Sequence, residues 1–373
     1  MMNVNKYVNN LKLRASWGRT GNNASGNYDY QATYNSTQYS YNGLATTGLI
    51  QTKFANPNLM WETTETTNLG LDGTVLKDAL SFEIDVYRGK TTGILAVPPI
   101  PPIVGTSTAP TLNVAGVLKK GVELTLNYNG KINALRYSIK GNVAYNTNTV
   151  TQYTGTTSTG PSQITQGQPI NTIYLFPVYK GTGTYNHSDG AVDKNGGPKD
   201  GMIRTPQDMA WLEDMIAAGY IFQPSGGTGK SKIWYGDLIY ADTKGDSIYG
   251  NTGDQRYTGK SPNPKWNYGL SVNLTFKGFD MSMIWAGSMG MYYYWNTLYL
   301  NQSIVALGKA VPSLVANDHY YYNDANPSDP ANNINGHFPR LKTTDPQNTY
   351  ASDFFLYNAS YLKLKSLQIG YTL

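Results

Sequence analysis

The sequence predicts an all-β protein, an antiparallel transmembrane β-barrel with long extracellular loops. Three observations predict this class. Apolar and polar side chains alternate over eight segments, as they do in strands with one face in lipid and the other in water. The connections between these segments are alternately short and long. The polar positions carry ionisable groups in strand after strand, and a water-filled lumen keeps such groups solvated.

Each alternating segment has an apolar face and a polar face. In the first segment, Leu11, Leu13 and Trp17 fall on one face, and Lys12 and Arg14 fall on the other. Each segment runs for roughly eight to eleven residues, which is about the length of a tilted strand that crosses a bilayer. In chain order, the predicted strands are residues 11–18, 66–75, 79–88, 121–128, 136–145, 267–276, 279–285 and 361–371.

The lengths of the connections distinguish a membrane barrel from a soluble sheet. In chain order, these connections are about 77–79, 91–120, 129–134, 147–265, 277–278 and 287–360. An outer-membrane barrel has short periplasmic turns at one rim and long external loops at the other. A soluble sandwich has no reason for such alternation, because both of its ends face water. The alternative that stays open is a secreted, soluble β-sandwich or β-helix that binds carbohydrate and buries its apolar faces in a dry core.

The composition argues against several other classes. Charged residues make up 14% of the chain, and the net charge of +5 includes no Lys/Arg run, so no nucleic-acid partner is expected. The chain has no Cys, which excludes disulfides and thiolate metal sites. The histidines lie far apart and no nucleophile motif is present, so neither enzymatic activity nor a cofactor is expected. No run approaches 18 apolar residues, and the first ten residues lack a signal-peptide core.

One helix is predicted, within the long connection 147–265. The segment TPQDMAWLEDMIAAG predicts a helix over residues 206–217. Thr205 can cap its N-terminus, Pro206 suits the first turn, and Asp208 complements the helix dipole. Its apolar face consists of Met209, Leu212, Met215 and Ile216. We expect this helix to stiffen the extracellular loop region by packing within it.

Several blocks of the sequence carry a resemblance to a known family. They are NLKLRASWGRTGN (10–22), FANPNLMWETTETTNLGLD (54–72), NVAGVLKKGVELTLNY (113–128), WYGDLIYADTKGD (234–246), SPNPKWNYGLSVNLTFKGFDMSMIWAGSMG (261–290), FPRL (338–341) and SDFFLYNASYLKLKSLQIGYTL (352–373). In this order, and over nearly the whole chain, the blocks resemble the C-terminal half of SusC/RagA-type TonB-dependent outer-membrane proteins.

The resemblance implies a location in the cell outer membrane and a function in nutrient import. Proteins of this type form a 22-stranded barrel with a plug in the lumen, and they import glycans or peptides across the outer membrane. They work with a SusD-like surface lipoprotein and receive energy from the TonB complex through an N-terminal part. Residues 1–373 would then be a partial barrel domain that lacks the plug, the TonB-contacting region and the closing strands.

Aromatic side chains in the long loops are the candidate ligand-binding residues. Flat aromatic faces bind the apolar faces of sugars or peptide side chains and have few rotamers to freeze. The candidates are Trp211, Trp234, Tyr235, Tyr292, Tyr293, Tyr294 and Trp295. The alternative is that these aromatics anchor the loops to one another or to the lipoprotein partner, and for Trp211 that packing role is favoured.

One loop has the composition of a weak cation site. The resemblance places an Asp-rich turn at DTKGDSIYGNTGD, in which Asp242, Asp246 and Asp254 are the candidate metal ligands. Carboxylates at alternate positions of a tight loop can converge on Ca²⁺. Lys244 stands where a ligand oxygen would be expected, so a turn without metal is favoured. The nearby SGGTGKS is not a nucleotide-binding loop, because Pro224 replaces the first Gly of that motif.

Overall fold

The computed structural model describes residues 8–23, 25–98, 100, 101, 103, 108–154, 160–295, 311–342 and 346–373. The strands and α-helices of these residues are β1 (Val8–Asn22), β2 (Thr33–Tyr41), β3 (Leu44–Lys53), β4 (Glu62–Val75), β5 (Leu80–Ala96), β6 (Leu112–Ile132), β7 (Leu135–Tyr153), β8 (Gly160–Gln163), β9 (Thr172–Leu175), α1 (Pro206–Ala217), β10 (Ile221–Phe222), β11 (Ile248–Tyr249), β12 (Arg256–Tyr257), β13 (Trp266–Phe276), β14 (Phe279–Met289), β15 (Tyr292–Tyr294), α2 (Ser313–Asp318), β16 (Leu356–Asn358) and β17 (Tyr361–Tyr371).

Eight of these strands form one antiparallel sheet, in the order β1-β4-β5-β6-β7-β13-β14-β17. They are the eight segments that the alternation predicts. The expected lengths are wrong for several strands, since β5 has 17 residues, β6 has 21 and β7 has 19. Backbone pairing continues beyond the point where the regular side-chain alternation ends, because the ladder is formed by backbone N–H and C=O groups and does not require alternating side chains.

The connections are alternately short and long, as expected. The short ones are residues 76–79, 133–134 and 277–278, and the long ones are 23–61, 97–111, 154–265 and 290–360. The β13–β14 turn has positive φ at both Lys277 (+46°) and Gly278 (+87°), which fits the two-residue type I′ geometry of tight hairpins. The first long connection contains the β2–β3 hairpin, which the sequence reasoning did not identify.

The strand register separates the side chains of the sheet into two chemically different faces. One row of the apolar face crosses five strands through Leu71, Ile84, Leu124, Val143 and Tyr268. The neighbouring row, on the polar face, consists of Asp72, Glu83, Thr125 and Asn142. This arrangement confirms the predicted alternation, because residues that are adjacent along each strand point to opposite sides.

The apolar face is uncovered. Leu13 is 77% exposed, and Leu69 and Leu367 are 56% and 51% exposed. In the described part of the chain, the buried hydrophobic side chains of this sheet are Val114, Ala115 and Val150, all near the long-loop rim. The apolar face of this sheet is therefore not buried against a second layer within the described residues, as a soluble sandwich requires, and that alternative is wrong. The two edge strands, β1 and β17, each have one neighbour within these residues, so the sheet is an open piece of wall.

The last two long connections fold together at one rim into a unit that we call the loop domain (residues 160–265, 291–295, 311–342 and 346–360). Its interior has two hydrophobic clusters. The first contains Phe176, Val178, Met202, Leu238, Tyr240, Val315, Tyr320, Phe338 and Phe355. The second contains Tyr179, Ile203, Met209, Trp211, Leu212, Met215, Phe222, Ile233, Ile239 and Tyr249. The loop domain thus has a packed core of its own.

Helix α1 occupies Pro206–Ala217, the segment for which the sequence predicts a helix. Thr205 Oγ1 accepts a hydrogen bond from the Asp208 backbone N–H at 3.1 Å, and the Asp208 carboxylate accepts one from the Thr205 backbone N–H at 2.8 Å. This reciprocal capping box fixes the N-terminus. Of the predicted apolar face, Met209, Leu212 and Met215 are buried in the second cluster. Of the helices in the described residues, none has the length and hydropathy to cross a membrane.

Candidate functional site

An ion cluster ties together three strands on the polar face of the sheet. Arg14 donates from Nε and Nη2 to the two oxygens of Asp72, both at 2.7 Å. The same guanidinium donates to both oxygens of Asp85 at 3.1 and 2.9 Å. Asn68 Nδ2 adds a hydrogen bond to Asp85 at 2.8 Å. Bidentate guanidinium–carboxylate pairs hold side chains in fixed geometry, so this part of the wall is rigid, and both carboxylates are paired with the one guanidinium.

Gly70 provides the space in which the ion cluster forms. A Cβ added at Gly70 would lie 2.6 Å from Arg14 Cζ and 2.7 Å from Asp85 Oδ1. These separations are far below van der Waals contact, so any larger residue would displace the guanidinium. Gly18, on the neighbouring strand, has no heavy atom within 4 Å of such a Cβ. The requirement for Gly at position 70 is therefore specific to the ion cluster.

The rest of the polar face presents hydroxyl, amide and isolated charged groups. A shallow pocket of about 280 Å³ lies on this face, lined by residues that include Glu83, Thr125, Lys140 and Ser271. Further toward the tight turns, Ser282 Oγ donates to an amide oxygen on β13 at 2.8 Å. Groups of this kind exchange hydrogen bonds with water or a hydrophilic solute at little cost. The face is chemically suited to contact an aqueous path.

A buried ion pair connects the two long connections that form the loop domain. Asp237 is fully buried and accepts hydrogen bonds from Arg340 Nε and Nη2, both at 2.7 Å. Its carboxylate also accepts hydrogen bonds from Asn348 Nδ2 at 3.0 Å and from the Trp234 backbone N–H at 2.9 Å. Lys342 Nζ lies 3.5 Å from the same carboxylate. The multiple donors compensate for the desolvation of Asp237 and set the relative positions of the two connections.

The ion pair between Asp237 and Arg340 was missed by the sequence reasoning. The two residues are separated by 103 positions, and they lie within the blocks WYGD and FPRL that carried the family resemblance. A usable signal was present, since each block places a charged residue among aromatic and aliphatic neighbours. Charges in such surroundings are rarely buried without a partner.

Trp211 is a core residue of the loop domain, which corrects its inclusion among the ligand candidates. Its side chain is 1% exposed, and its indole N–H donates to the Asp193 carbonyl oxygen at 2.8 Å. The ring stacks on Tyr179 with 5.2 Å between centroids. A side chain enclosed in this way leaves almost no surface for a ligand. The packing role favoured by its place in an amphipathic helix agrees with this position.

Trp234 and Tyr235 lie at the border between the two hydrophobic clusters. Their rings meet edge to face, with centroids 5.1 Å apart, and Tyr235 meets Tyr322 in the same way at 5.6 Å. Burial and the nearby Tyr322 hydroxyl raise the pKa of Tyr235 above its ordinary value. Both side chains are half-buried, so part of each ring faces solvent. The buried part of each ring packs the loops together, and the exposed part is accessible to a ligand or a partner protein.

The run from Tyr292 to Trp295 forms strand β15 and the residue after it. Lys260 Nζ lies 4.5 Å from the centroid of the Tyr292 ring, in cation–π geometry. Tyr294 and Trp295 are half-buried against the first cluster. Tyr293 is 61% exposed. Among these four candidates, Tyr293 offers the largest free aromatic surface.

The three candidate metal ligands are used to shape their own turn. Asp254 is fully buried and accepts four backbone N–H hydrogen bonds at 2.8–3.1 Å, and Asp242 accepts three at 2.5–3.3 Å. Lys244 Nζ lies 3.1 Å from the Asp246 carboxylate. Burial of Asp246 raises the pKa of its carboxyl group. Hydrogen bonds from the Lys244 side chain, the Ile248 backbone N–H and the Asn251 side chain outweigh this effect and hold the pKa below its usual range. Within the described residues, no three acidic, His or Cys side chains converge as a metal site.

The geometry defines a class of protein. A single layer of antiparallel strands has an exposed apolar face and a hydrated, charge-bearing face. Its strands are joined by tight turns at one rim and by a folded loop domain at the other. In lipid, the backbone of such a wall satisfies its hydrogen bonds between neighbouring strands. This is the wall of an outer-membrane β-barrel, whose outer face contacts lipid and whose inner face lines the lumen.

Comparisons with known proteins place the chain within that class. Residues 3–206 match the family model described as TonB dependent receptor-like, beta-barrel. The chain is 25% identical to TonB-dependent receptor P3 of Formosa agariphila, covering 98% of this chain and 32% of that receptor. It is 24% identical to TonB-dependent receptor SusC of Bacteroides thetaiotaomicron, with the same coverage of 98% and 32%. The structure of the RagAB peptide transporter aligns with a TM-score of 0.63, at 22% identity, over 98% of this chain and 35% of that chain.

The protein belongs to the TonB-dependent receptor-like β-barrel family, because the family model covers more than half of the chain. The family assignment and the SusC/RagA resemblance agree, and they confirm the predicted location in the outer membrane. The chain spans about a third of the length of the curated relatives that it matches. It supplies part of the barrel wall and the long connections at one rim of that wall.

Proposed function

We propose that this chain is part of an importer that carries hydrophilic oligomers, glycans or peptides, across the outer membrane. The observation that supports this proposal most strongly is the combination of a hydrated lumen wall with a folded loop domain at its extracellular rim. A wall lined by hydroxyls, amides and ion-paired side chains accommodates a polar solute without binding it tightly. The proposal assigns no catalytic step to the chain.

The two substrate classes are supported by different considerations. The name of the RagAB peptide transporter favours peptides, and the partial aromatic surfaces of the loop domain suit sugar rings and peptide side chains alike. We further propose that a SusD-like lipoprotein covers the extracellular rim and that TonB energises import through parts of the protein outside this chain. These partners are carried over from the SusC/RagA resemblance.

The proposal is tested by uptake in cells that express the full-length protein. Size-fractionated mixtures of oligosaccharides and oligopeptides are offered to expressing cells and to cells in which the gene is deleted. We expect depletion of one class by the expressing cells, and we expect that depletion to require a functional TonB complex. Equal depletion by both strains, for both classes, would refute the proposal.

Tyr293 provides a site-specific test of ligand contact. Because Tyr293 is 61% exposed on the loop domain, Tyr293→Ala removes a free aromatic face without opening the core. We expect ligand affinity to fall about three- to tenfold, the range of a single aromatic contact. Tyr293→Phe is the matched control and should bind as well as the wild type. Unchanged binding by the Ala variant removes Tyr293 from the set of contacts.

We also propose that the turn containing Asp242, Asp246 and Asp254 needs no cation. The backbone N–H groups and the Lys244 ammonium already satisfy these carboxylates, so a cation would have to displace them. We expect a calcium chelator to leave the protease resistance of the loop domain unchanged. Faster cleavage in chelator, reversed by added Ca²⁺, would show that the turn binds the metal.

A further inference from the structure

Two basic side chains face each other on the outward surface of the barrel wall. Arg88 on β5 lies opposite Lys120 on β6 in the strand register, and Thr67 and Thr147 extend the same row to either side. Both cations are exposed, and neither forms a side-chain hydrogen bond or an ion pair within the described residues. Like charges that are directly opposite on a sheet repel each other. An anion between the two side chains would relieve that repulsion.

The surrounding charges strengthen the case for an anion. The next outward-facing row toward the loop domain contains Arg19, Glu65 and Lys90 in register. Glu65 accepts a hydrogen bond from the Trp17 indole N–H at 3.1 Å, so its carboxylate is already engaged. Counting both rows, four cations surround a single carboxylate, which gives this part of the surface a local net charge of about +3.

Directly on the other side of the basic row, the surface becomes apolar. The row toward the tight turns consists of Leu69, Val86, Val122 and Tyr145. Leu69 is 56% exposed and Val86 is 50% exposed, so their side chains are available to a hydrocarbon chain. A depression of about 610 Å³ extends over the apolar and the basic row together. The cavity is therefore amphipathic, with a cationic end and a hydrocarbon end.

The basic row lies at the depth where lipid headgroups are found. Arg88 is eight residues beyond Leu80, at the start of β5 next to a tight turn. At about 3.4 Å per residue and a tilt of about 40°, this separation corresponds to roughly 20 Å along the barrel axis. The apolar band of an outer-membrane barrel is about 25 Å tall, so Arg88 lies near its extracellular border.

We propose that Arg88 and Lys120 bind the phosphate of an anionic lipid of the outer leaflet, while its acyl chain lies over Leu69 and Val86. Lys and Arg side chains at the membrane border attract anionic headgroups, and the flanking Thr67 hydroxyl can donate a hydrogen bond to a phosphate oxygen. A lipid, rather than a free phosphate ion, is the expected ligand because the depression continues into the apolar belt. This site lies on the outer surface and is independent of import through the lumen.

The test uses full-length protein in phosphatidylcholine nanodiscs that contain a small fraction of phosphatidylglycerol as the probe. Native mass spectrometry measures how much phosphatidylglycerol stays bound after the protein is released. For the Arg88→Gln/Lys120→Gln double variant we expect roughly twenty-five-fold weaker retention, about fivefold for each basic side chain. The Lys120→Gln single variant should then lose about fivefold.

A matched double variant separates this site from a general loss of charge. Lys12→Gln/Lys140→Gln removes two lysines from the lumen face and should retain phosphatidylglycerol like the wild type. Equal retention by the Arg88/Lys120 variant and the wild type would overturn the proposal, as would an equal loss in the lumen-face control. Full competition by inorganic phosphate would show a simple anion site and would also overturn it. If the double variant does not fold, the single variant gives the decisive comparison.

Discussion

At the scale of single residues, the loop domain depends on one buried charge. Asp237 is fully buried, and its partner Arg340 is 14% exposed, so the pair lies almost entirely out of water. Arg340 also donates to two backbone carbonyl oxygens of residues 230 and 232. One carboxylate therefore holds together segments that are far apart in the sequence. Buried pairs of this kind specify geometry more than they add stability, but they are costly to break.

Removing the charge of Asp237 should destabilise the loop domain selectively. Asp237→Asn keeps the shape of the side chain but leaves the Arg340 guanidinium without its counter-ion. We expect a loss of about 3 kcal/mol in the unfolding free energy of the loop domain, the lower end for breaking a buried ion pair. Proteolysis of the full-length protein in outer-membrane vesicles measures this loss as faster cleavage within the loops.

An exposed ion pair in the same domain provides the control. Asp324 pairs with Lys230 at 2.8 Å, and the side chains of both residues are largely exposed. Exposed pairs contribute little, so Asp324→Asn should leave the cleavage rate close to that of the wild type. Similar cleavage rates for the two variants would show that Asp237 does not hold the loop domain together.

At the scale of elements, helix α1 begins at a capping box and packs one face into the core of the loop domain. Its capping box and its buried face could both be read from the sequence, because each depends on neighbours within one or two turns. Its partners could not be read, because Tyr179, Ile233 and Tyr249 come from segments that no local pattern connects to it. Local patterns do not show which distant segments pair. For this reason the alternation of apolar and polar residues predicted the eight strands, but the extensions of these strands and the β2–β3 hairpin were missed.

Truncating the buried face of α1 should loosen the loop domain and leave the barrel wall intact. Leu212 is fully buried in the second cluster, so Leu212→Ala removes core contacts and leaves a cavity. We expect a cost of about 2–5 kcal/mol, observed as faster proteolysis around residues 206–217. The exposed Asp214→Ala change on the same helix should have little effect. Equal protease resistance in both variants would contradict the role assigned to this helix.

Alkaline pH should destabilise the loop domain through buried tyrosines. Burial, followed by the charges of nearby groups, raises the pKa of Tyr249 from 10.0 to about 12. Because the pKa is raised in the folded state, the contribution of the neutral Tyr249 to the unfolding free energy is fully present below about pH 10 and is lost as the pH rises toward 12. Burial also raises the pKa of Tyr179 and Tyr320 above its ordinary value. Tyrosinate absorbance during a pH titration, combined with proteolysis, measures this transition.

The variant Tyr249→Phe tests the cause of the alkaline transition. It removes an ionisable hydroxyl whose hydrogen bond to the Lys194 carbonyl oxygen is long, at 3.5 Å. We expect the loop domain of this variant to resist proteolysis at higher pH than the wild type. Two results would show that burial of these tyrosines does not determine the transition. The wild type would lose protease resistance only well above pH 12, or the variant and the wild type would lose it at the same pH.

At the scale of the whole molecule, the eight strands of the large sheet form a wall segment between lipid and water. The sequence was sufficient to predict this architecture, because a period of two is imposed directly by the two solvents. It was not sufficient for the functional surfaces, because ligand contacts depend on how long loops fold against one another. Trp211 illustrates the difference: its residue type suggested a ligand contact, while its position in the core could be known only from the tertiary structure.

The central claim is that alternate residues of each strand face lipid and the lumen, and cysteine scanning tests it most directly. The 373 residues contain no Cys, so single cysteines can be placed along β13 without a competing thiol in this part of the protein. The scan uses the full-length protein in outer membranes, with any cysteine elsewhere replaced by Ser. We expect Ser271→Cys and Asn273→Cys to react with a small charged thiol reagent. Val272→Cys and Leu274→Cys should react only with a lipid-soluble reagent. Equal reactivity of all four positions with the charged reagent would contradict the account.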